Sequence, residues 1–291
     1  MVLGVKEIDK LVNVNELIED IEKVLLEAPK PPPRTSLETE GSWFGVMPAR
    51  GLGFYSVKLV GVYYRNPERG LPLIRGLLVL VDSETGEVLL EADAGPATAW
   101  RTASASALAM RLAGFRKGVL GVIGAGVQGR YHILVFREVF NISKVLIFDI
   151  DKKRAESLAS EVGGLVAESS IELLRSSDIV IAATTSRSPV VLGEFLKSGA
   201  FVVSVGAPKP VRELDETTIK RSRCLLVDSV EGVMTESDDW IGAEELVSLS
   251  DTLRGKECKW GDVRVYKSVG YSLFDLAVAI HLYKRVSRGS R

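Results

Sequence analysis

Cysteine, histidine and glutamine are scarce in this 291-residue chain, which contains two cysteines, two histidines and one glutamine. Two cysteines, Cys224 and Cys258, are too few for a disulfide framework, and they are interpreted as reduced thiols. No group of cysteines and histidines has the spacing of a metal site, so no bound metal is predicted. The scarcity of glutamine beside a charged content of 26% is typical of a heat-adapted protein.

Long apolar runs and an excess of one charge are also missing. No stretch approaches the roughly 20 apolar residues that cross a bilayer, and the first residues lack the basic start and long apolar segment of a secretion signal. The net charge is −1, which gives no general attraction to nucleic acid or to an anionic membrane. These absences predict a cytoplasmic protein without a nucleic-acid or membrane partner.

The most informative stretch is an apolar run, residues 119–123, that ends in Gly124-x-Gly126-x-x-Gly129. In a dinucleotide-binding turn the first glycine permits the tight turn and the second lets the backbone approach the pyrophosphate. The third lets the helix pack closely on the strand. The N–H groups at the start of the following helix then face the phosphates.

The context on the C-terminal side supports this interpretation. An apolar, helix-like stretch covers residues 133–140, and a second strand, residues 144–148, ends at Asp149. Asp149 lies 20 residues after Gly129, where a carboxylate accepts hydrogen bonds from a ribose hydroxyl. NAD(H) is therefore favoured, with NADP(H) as the alternative because the basic residues 152–154 follow closely.

The pattern predicts an α/β protein in which a Rossmann-type, doubly wound parallel sheet is joined to a discontinuous α+β domain. Strands alternate with helices through residues 113–269, which we predict to be the dinucleotide-binding domain. Alternating apolar stretches between residues 42 and 93 predict an antiparallel sheet before it. Residues 1–112, completed by a final amphipathic helix within 270–291, are predicted to form the substrate-binding and dimerisation domain.

Polar residues and glycines that follow the strands of the dinucleotide domain are candidate cofactor ligands, because ligands bind at the carboxyl ends of such strands. The predicted cofactor-binding residues are Gly124, Gly126, Val127, Gln128, Gly129, Asp149, Thr184, Thr185, Ser186, Gly206, Ser268 and Gly270.

Several motifs, in order over most of the chain, resemble the ornithine cyclodeaminase and mu-crystallin family. They are Pro33-Arg34, Met47-Pro48, Lys58 near the end of a strand, the segment 101–109 that begins Arg-Thr-Ala, Gly-Ala-Gly-Val-Gln at 124–128, Arg-Glu-Leu-Asp at 212–215 and Lys-Ser-Val-Gly at 267–270. The resemblance implies a homodimer that binds NAD(H) or NADP(H). It also implies that Arg34, Lys58 and Arg101 hold the substrate carboxylate, as their charges allow. Lys58 is in addition the candidate catalytic proton donor.

One departure from the family pattern bears on the reaction. Cyclodeaminases and the archaeal alanine dehydrogenase carry a water-activating aspartate in the loop that here follows Val205, but no acid stands near Ala207. The loop therefore favours an NAD(P)H-dependent reductase of an α-imino acid, such as pyrroline- or piperideine-2-carboxylate. An alanine dehydrogenase or an ornithine cyclodeaminase is the alternative, with Glu213, Glu245 or Asp275 replacing the missing acid. A nucleotide-binding protein without catalytic activity is the alternative of another class.

Overall fold

A computed structural model describes residues 2–289 of the chain, with the backbone alone for Pro67 and Gly289. Met1, Ser290 and Arg291, at the ends of the predicted ranges, lie outside the described residues. The chain divides into two compact units, the first formed by Met1–Ser104 with Ser272–Arg291 and the second by Ala105–Tyr271. Substrate binding by one unit and cofactor binding by the other stay predictions at this stage.

The first part of the chain forms the strands of an antiparallel sheet, and in the second part strands alternate with helices. Up to residue 112 they are α1 (Val5–Leu11), α2 (Val14–Glu27), β1 (Thr35–Thr39), β2 (Ser42–Gly51), β3 (Phe54–Tyr63), β4 (Ile74–Asp82), β5 (Val88–Asp93) and α3 (Ala94–Leu112). Then come β6 (Lys117–Ile123), α4 (Val127–Val139), β7 (Asn141–Phe148), α5 (Lys152–Val162), β8 (Leu165–Val166), α6 (Ser170–Ser176), β9 (Ile179–Ala182), β10 (Phe201–Ser204), α7 (Glu216–Ser222), β11 (Cys224–Val227), α8 (Val230–Glu236), β12 (Glu245–Ser248), α9 (Leu249–Leu253), β13 (Arg264–Lys267) and α10 (Ser272–Gly289). Between residues 2 and 289, no helix combines the length and the apolar character needed to cross a bilayer.

The first unit is built on an antiparallel sheet whose strands follow the order β1-β2-β3-β4-β5. Helix α2 begins at the cap Asn13, whose side chain accepts a hydrogen bond from the N–H of Glu16. Its apolar face is buried, and α10 packs both on α2 and on strands β2 to β5. This packing places the first turn of α10 next to the middle of β3, where Lys58 lies.

The second unit is a parallel sheet with the order β12-β11-β13-β10-β9-β6-β7-β8. Strands β9, β10 and β11 are buried along their whole length, as expected when helices cover both faces of a parallel sheet. The predicted doubly wound parallel sheet beside a separate antiparallel sheet is therefore confirmed. Because β9, β10 and β13 are neighbours, the residues that follow their carboxyl ends come together.

The cysteines correct one prediction. Cys224, the first residue of β11, forms a disulfide with Cys258, and their Cα atoms are 5.7 Å apart. The interpretation of both residues as reduced thiols was wrong. A low cysteine count excludes a framework of several disulfides but not a single one. The two bridged cysteines are 34 residues apart in the sequence, and only the fold brings them together.

We expect Cys258→Ser to lower the free energy of unfolding by ~3 kcal/mol, because the bridge restricts a loop of 34 residues in the unfolded chain. Denaturant unfolding with and without a reductant measures this. The reductant should destabilise the wild type and leave Cys258→Ser unchanged. Equal stability of the oxidised wild type and the variant would show that the bridge contributes nothing.

Candidate functional site

In the glycine turn between β6 and α4, two of the three glycines are required by the packing of the protein, because a larger residue would collide with the backbone. Gly124 has φ of +104°, and a Cβ on it would collide with the carbonyl oxygen of Ala183. A Cβ on Gly129 would collide with the carbonyl oxygen of Gly124. Gly126 differs, because a Cβ there would meet no protein atom within 4 Å. The space over Gly126 is therefore open, as expected where a ligand approaches the backbone.

Helix α4 begins directly after this turn and presents its first N–H groups without a side-chain cap. Its N-cap is Gly126, in extended conformation with φ −87° and ψ −168°, and Val127 and Gln128 form the first turn. Uncapped N–H groups and the positive end of the helix dipole form an anion site. The turn and helix start thus fit the pyrophosphate of a dinucleotide.

Asp149, which follows β7, is fixed against the glycine turn. Its Oδ2 accepts a hydrogen bond of 2.7 Å from the N–H of Ala125, and its Oδ1 accepts one of 2.9 Å from the N–H of Asp151. These bonds hold an acceptor beside the turn, where a ribose hydroxyl would meet it. Lys152 and Arg154 are exposed on α5 and lie near carboxylates of Glu156 and Asp151.

A buried carboxylate ties together the carboxyl ends of β9 and β10. Glu213 is fully buried, and its Oε1 accepts hydrogen bonds from the N–H and the hydroxyl of Thr184 at 2.6 and 2.9 Å. Its Oε2 accepts bonds from the Ser204 hydroxyl and the Gly206 N–H at 2.7 and 2.8 Å. Two predicted cofactor residues, Thr184 and Gly206, are therefore held in place by one side chain.

A buried ion pair continues this network to β13. Lys267 Nζ donates to Asp239 Oδ2 at 2.8 Å, to the Ser204 hydroxyl at 2.9 Å and to the Gly206 carbonyl oxygen at 2.7 Å. Asp239 in turn accepts hydrogen bonds from the N–H of Glu213. The pair is fully buried and fully bonded, which suits a positioning role rather than contact with a substrate.

Asp228, which follows β11, organises the last predicted cofactor segment. Its Oδ2 accepts hydrogen bonds from the Ser268 hydroxyl at 2.8 Å and from the N–H groups of Val269 and Gly270 at 2.9 and 2.7 Å. The loop between β13 and α10 is therefore held by a carboxylate on the neighbouring strand. Of the other predicted cofactor residues, Thr185 and Val127 are exposed, and the Ser186 hydroxyl donates to the Ser188 carbonyl oxygen.

In the first unit, two predicted substrate residues meet around one carboxylate. Lys58 Nζ lies 2.8 Å from Asp275 Oδ1, and Arg101 Nε lies 3.0 Å from the same oxygen. Lys58, Arg101 and Asp275 are 1%, 4% and 1% exposed. Two cations on one carboxylate leave an excess of one positive charge in a buried place, which suits an anionic ligand.

Burial lowers the pKa of Lys58 to about 7, an effect that the negative charge of Asp275 opposes and that the positive charges of Arg101 and Arg34 reinforce. The third predicted substrate residue, Arg34, is thus electrostatically coupled to the cluster, and its guanidinium lies 5.8 Å from the Trp43 ring centre. A lysine with a pKa near 7 can give up and recover a proton at neutral pH.

Three buried polar atoms on the elements that carry the cluster lack a hydrogen-bond partner within the described part of the chain. They are Asp275 Oδ2, the Ser56 hydroxyl two residues before Lys58 on β3, and the Thr98 hydroxyl one turn before Arg101 on α3. A buried polar atom without a partner is costly unless a ligand completes it. Asp275 Oδ2 belongs to the carboxylate that binds both cations, so a ligand held there would find an acceptor without a partner.

Sequence reasoning did not assign several residues that the structure places here. Asp275 was considered only as a replacement acid, and Lys267, Asp228 and Asp239 had no assigned function. Asp228 and Lys267 stand at strand ends, so their positions alone are informative. Asp239 lies in a loop, and no local pattern distinguishes it from an exposed acid.

The chain is similar to known proteins over almost its whole length. A model of the ornithine cyclodeaminase/mu-crystallin family matches residues 1–290. Ketimine reductase mu-crystallin from Rattus norvegicus is 33% identical, with 85% of this chain and 82% of that protein covered. Alanine dehydrogenase from Archaeoglobus fulgidus is 28% identical, with 98% of this chain and 94% of that protein covered.

A solved structure extends the similarity to the fold. The Δ1-pyrroline-2-carboxylate reductase of Thermococcus litoralis, in complex with NADH and L-proline, is 32% identical and superposes with a TM-score of 0.91. The match covers 100% of this chain and 98% of that one. With matched motifs, an open glycine turn and a buried cationic cluster, the chain belongs to the ornithine cyclodeaminase/mu-crystallin family.

Proposed function

We propose that the protein is an NADH-dependent reductase of α-imino acids and that it converts a cyclic ketimine, such as Δ1-pyrroline-2-carboxylate, into the amino acid. The observation that carries the proposal is the buried cluster of Lys58, Arg101 and Asp275, which has an excess positive charge and a lysine pKa of about 7. Relatives named as ketimine reductase and pyrroline-2-carboxylate reductase support the same reaction class.

The residues of the cluster divide the chemistry between them. Arg101 and Arg34 bind the substrate carboxylate, because a guanidinium offers a carboxylate two parallel hydrogen bonds. Lys58 adds a positive charge to this binding and gives a proton to the imine nitrogen, which makes the C=N carbon more electrophilic. A bound NADH supplies the hydride that this carbon accepts. The neutral Lys58 amine then regains a proton from water.

The three acids that were weighed as replacements for the missing aspartate have other partners. Glu213 is fully buried with hydrogen bonds to both oxygens, and Glu245 pairs with Lys256 at 3.0 Å. Asp275 is 1% exposed and bonded to both cations of the cluster. Glu213 and Glu245 are thus committed to other groups, and the charge of Asp275 is shared with two cations, which makes it a weak base toward water; this favours imine reduction over amino-acid dehydrogenation and cyclodeamination.

NAD(H) is the proposed cofactor, and the fixed carboxylate of Asp149 is the reason. It stands beside the glycine turn and would repel a 2′-phosphate while accepting a bond from a 2′-hydroxyl. Two solved relatives, the Thermococcus litoralis enzyme and an archaeal alanine dehydrogenase, have NADH or NAD bound.

A homodimer joined through the first unit is part of the proposal. Large apolar side chains are exposed on this unit, and a second copy of the chain would remove them from water. They include Leu37, Tyr55, Tyr64, Leu71 and Val88. The archaeal alanine dehydrogenase with a similar fold is itself a dimer. The mass measured by light scattering tests this, and a monomer at micromolar concentration would contradict it.

The function is tested by mixing the protein with Δ1-pyrroline-2-carboxylate and NADH at elevated temperature and following the loss of NADH absorbance. We expect proline to form in equal amount to the NADH consumed. Failure with Δ1-pyrroline-2-carboxylate, Δ1-piperideine-2-carboxylate and open-chain imino acids would reject the proposal. Tight NADH binding without any turnover would instead indicate a binding protein.

The pKa of Lys58 predicts opposite pH dependences for the two directions. Imine reduction needs the protonated lysine, so kcat/KM should fall about tenfold per pH unit above pH ~7. Oxidation of proline by NAD⁺ needs the neutral amine, so its kcat/KM should rise about tenfold per pH unit below pH ~7 and level off above it. Titration of the substrate imine itself is measured separately and divided out. Parallel profiles for the two directions would contradict a proton transfer by Lys58.

A further inference from the structure

The inference concerns the second oxygen of Asp275 and rests on the proposed function. Oδ1 of this carboxylate carries both Lys58 and Arg101, at 2.8 and 3.0 Å, whereas Oδ2 has no hydrogen-bond partner within the described residues. The side chain is 1% exposed, so bulk water does not solvate the free oxygen well. A buried charged acceptor without a hydrogen bond destabilises the folded protein unless another group donates one to it.

The nitrogen of the proposed substrate can be that donor. An α-imino acid carries its nitrogen on the carbon next to the carboxylate, so a cluster that grips the carboxylate also has the nitrogen close by. Once protonated, that nitrogen bears an N–H and a positive charge, and the amine product bears both as well. Among the side chains of the cluster, Asp275 is the one with a negative charge, and its Oδ2 is the oxygen that is not already bonded to Lys58 and Arg101.

We propose that Asp275 Oδ2 accepts the N–H of the substrate nitrogen and thereby makes the site select molecules with nitrogen next to the carboxylate. The proton moves from the Lys58 ammonium to the imine nitrogen, which leaves a neutral lysine and a C=N–H cation. The new N–H lies between the neutral Lys58 Nζ and Asp275 Oδ2 and bonds to both, while Oδ1 keeps its bonds to Lys58 and Arg101. The hydride adds to the carbon, and the C=N π pair becomes the nitrogen lone pair.

The test compares two ligands of the same shape that differ in the atom next to the carboxylate. L-Proline offers N–H donors, whereas (S)-tetrahydrofuran-2-carboxylate offers only an ether oxygen, which Asp275 should repel. Isothermal titration of the NAD⁺-saturated protein gives both dissociation constants. We expect the wild type to bind proline at least ~10-fold more tightly than the ether, as a charge-assisted hydrogen bond implies.

The variant Asp275→Asn should remove this preference and bring the ratio of the two dissociation constants close to one. A residue that only orients Lys58 and Arg101 would weaken both ligands together and leave the ratio unchanged, and that result would overturn the proposal. Asp20→Asn is the matched control, because Asp20 also anchors α10, through Lys284 at 2.6 Å. It should keep the wild-type ratio.

Two safeguards keep the test decisive. Asp275→Ser serves as a second variant if Asp275→Asn does not fold, as judged by circular dichroism, and the wild type alone also tests the proposal. Equal binding of proline and the ether by the wild type would overturn it without any variant. Failure of the proposed function is distinguishable, since the wild type would then bind neither ligand and reduce no imine.

Discussion

Replacing Lys58 with methionine should lower kcat for imine reduction by ~100-fold or more and leave the dissociation constant of NADH unchanged. The loss follows from removing a general acid, an effect that typically reaches two to four orders of magnitude. Folding should survive, because methionine has a volume similar to that of the buried lysine stem and Asp275 keeps its bond to Arg101 at 3.0 Å. Turnover assays and NADH fluorescence titration measure the two quantities.

Lys284→Met is the control for this experiment. Lys284 also pairs with an acid in the first unit, Asp20, but it is 42% exposed and plays no part in the proposed chemistry. Its replacement should leave kcat within about twofold, because Lys284 has no contact with Lys58, Arg101 or Asp275 among the described ion pairs. If Lys58→Met retained wild-type turnover, another group would have to protonate the imine. If it weakened NADH binding, Lys58 would be structural rather than catalytic.

The sequence predicted the elements whose apolar period is clear and missed those without one. The glycine turn and most strands of the two sheets stand out by apolar runs bounded by turn residues. Strand β1 does not, because all five of its residues are exposed and no face is apolar. The short elements α7, α8 and β12 lie in the stretch between β10 and β13, where only β11 has a distinct apolar run.

Site residues were predictable from the sequence where their place in a strand–turn–helix motif indicates their role. The three glycines and Asp149 are of this kind, since strand, turn and helix define their places. Lys58 and Arg101 came from the resemblance, because one lysine or arginine looks like any other in a sequence. Asp275 lies 217 residues after Lys58, so their hydrogen bond exists only once α10 has packed on the sheet. Burial, which brings the Lys58 pKa to about 7, is likewise a property of the fold.

The second large effect is expected at Gly126, the one glycine of the turn that the protein does not itself require. Gly126→Ala should raise the dissociation constant of NADH by ~10-fold or more, because a methyl group would occupy the space where the pyrophosphate approaches the backbone. The backbone there is extended, with φ −87° and ψ −168°, and a Cβ would meet no atom within 4 Å. Alanine therefore fits the protein without the cofactor, and the free energy of unfolding should change by ~1 kcal/mol or less.

The comparison variant for this prediction is Gly41→Ala, since a Cβ at Gly41 also meets nothing within 4 Å and lies in the turn between β1 and β2. It should leave NADH affinity unchanged. Gly129→Ala, in contrast, should destabilise the protein itself because of the collision with the Gly124 carbonyl oxygen. Of the three variants, only Gly126→Ala should lose NADH affinity while keeping its stability. That result is expected only if NADH binds directly over Gly126. Wild-type NADH binding by Gly126→Ala would place the pyrophosphate elsewhere and remove the basis for assigning this turn to the cofactor.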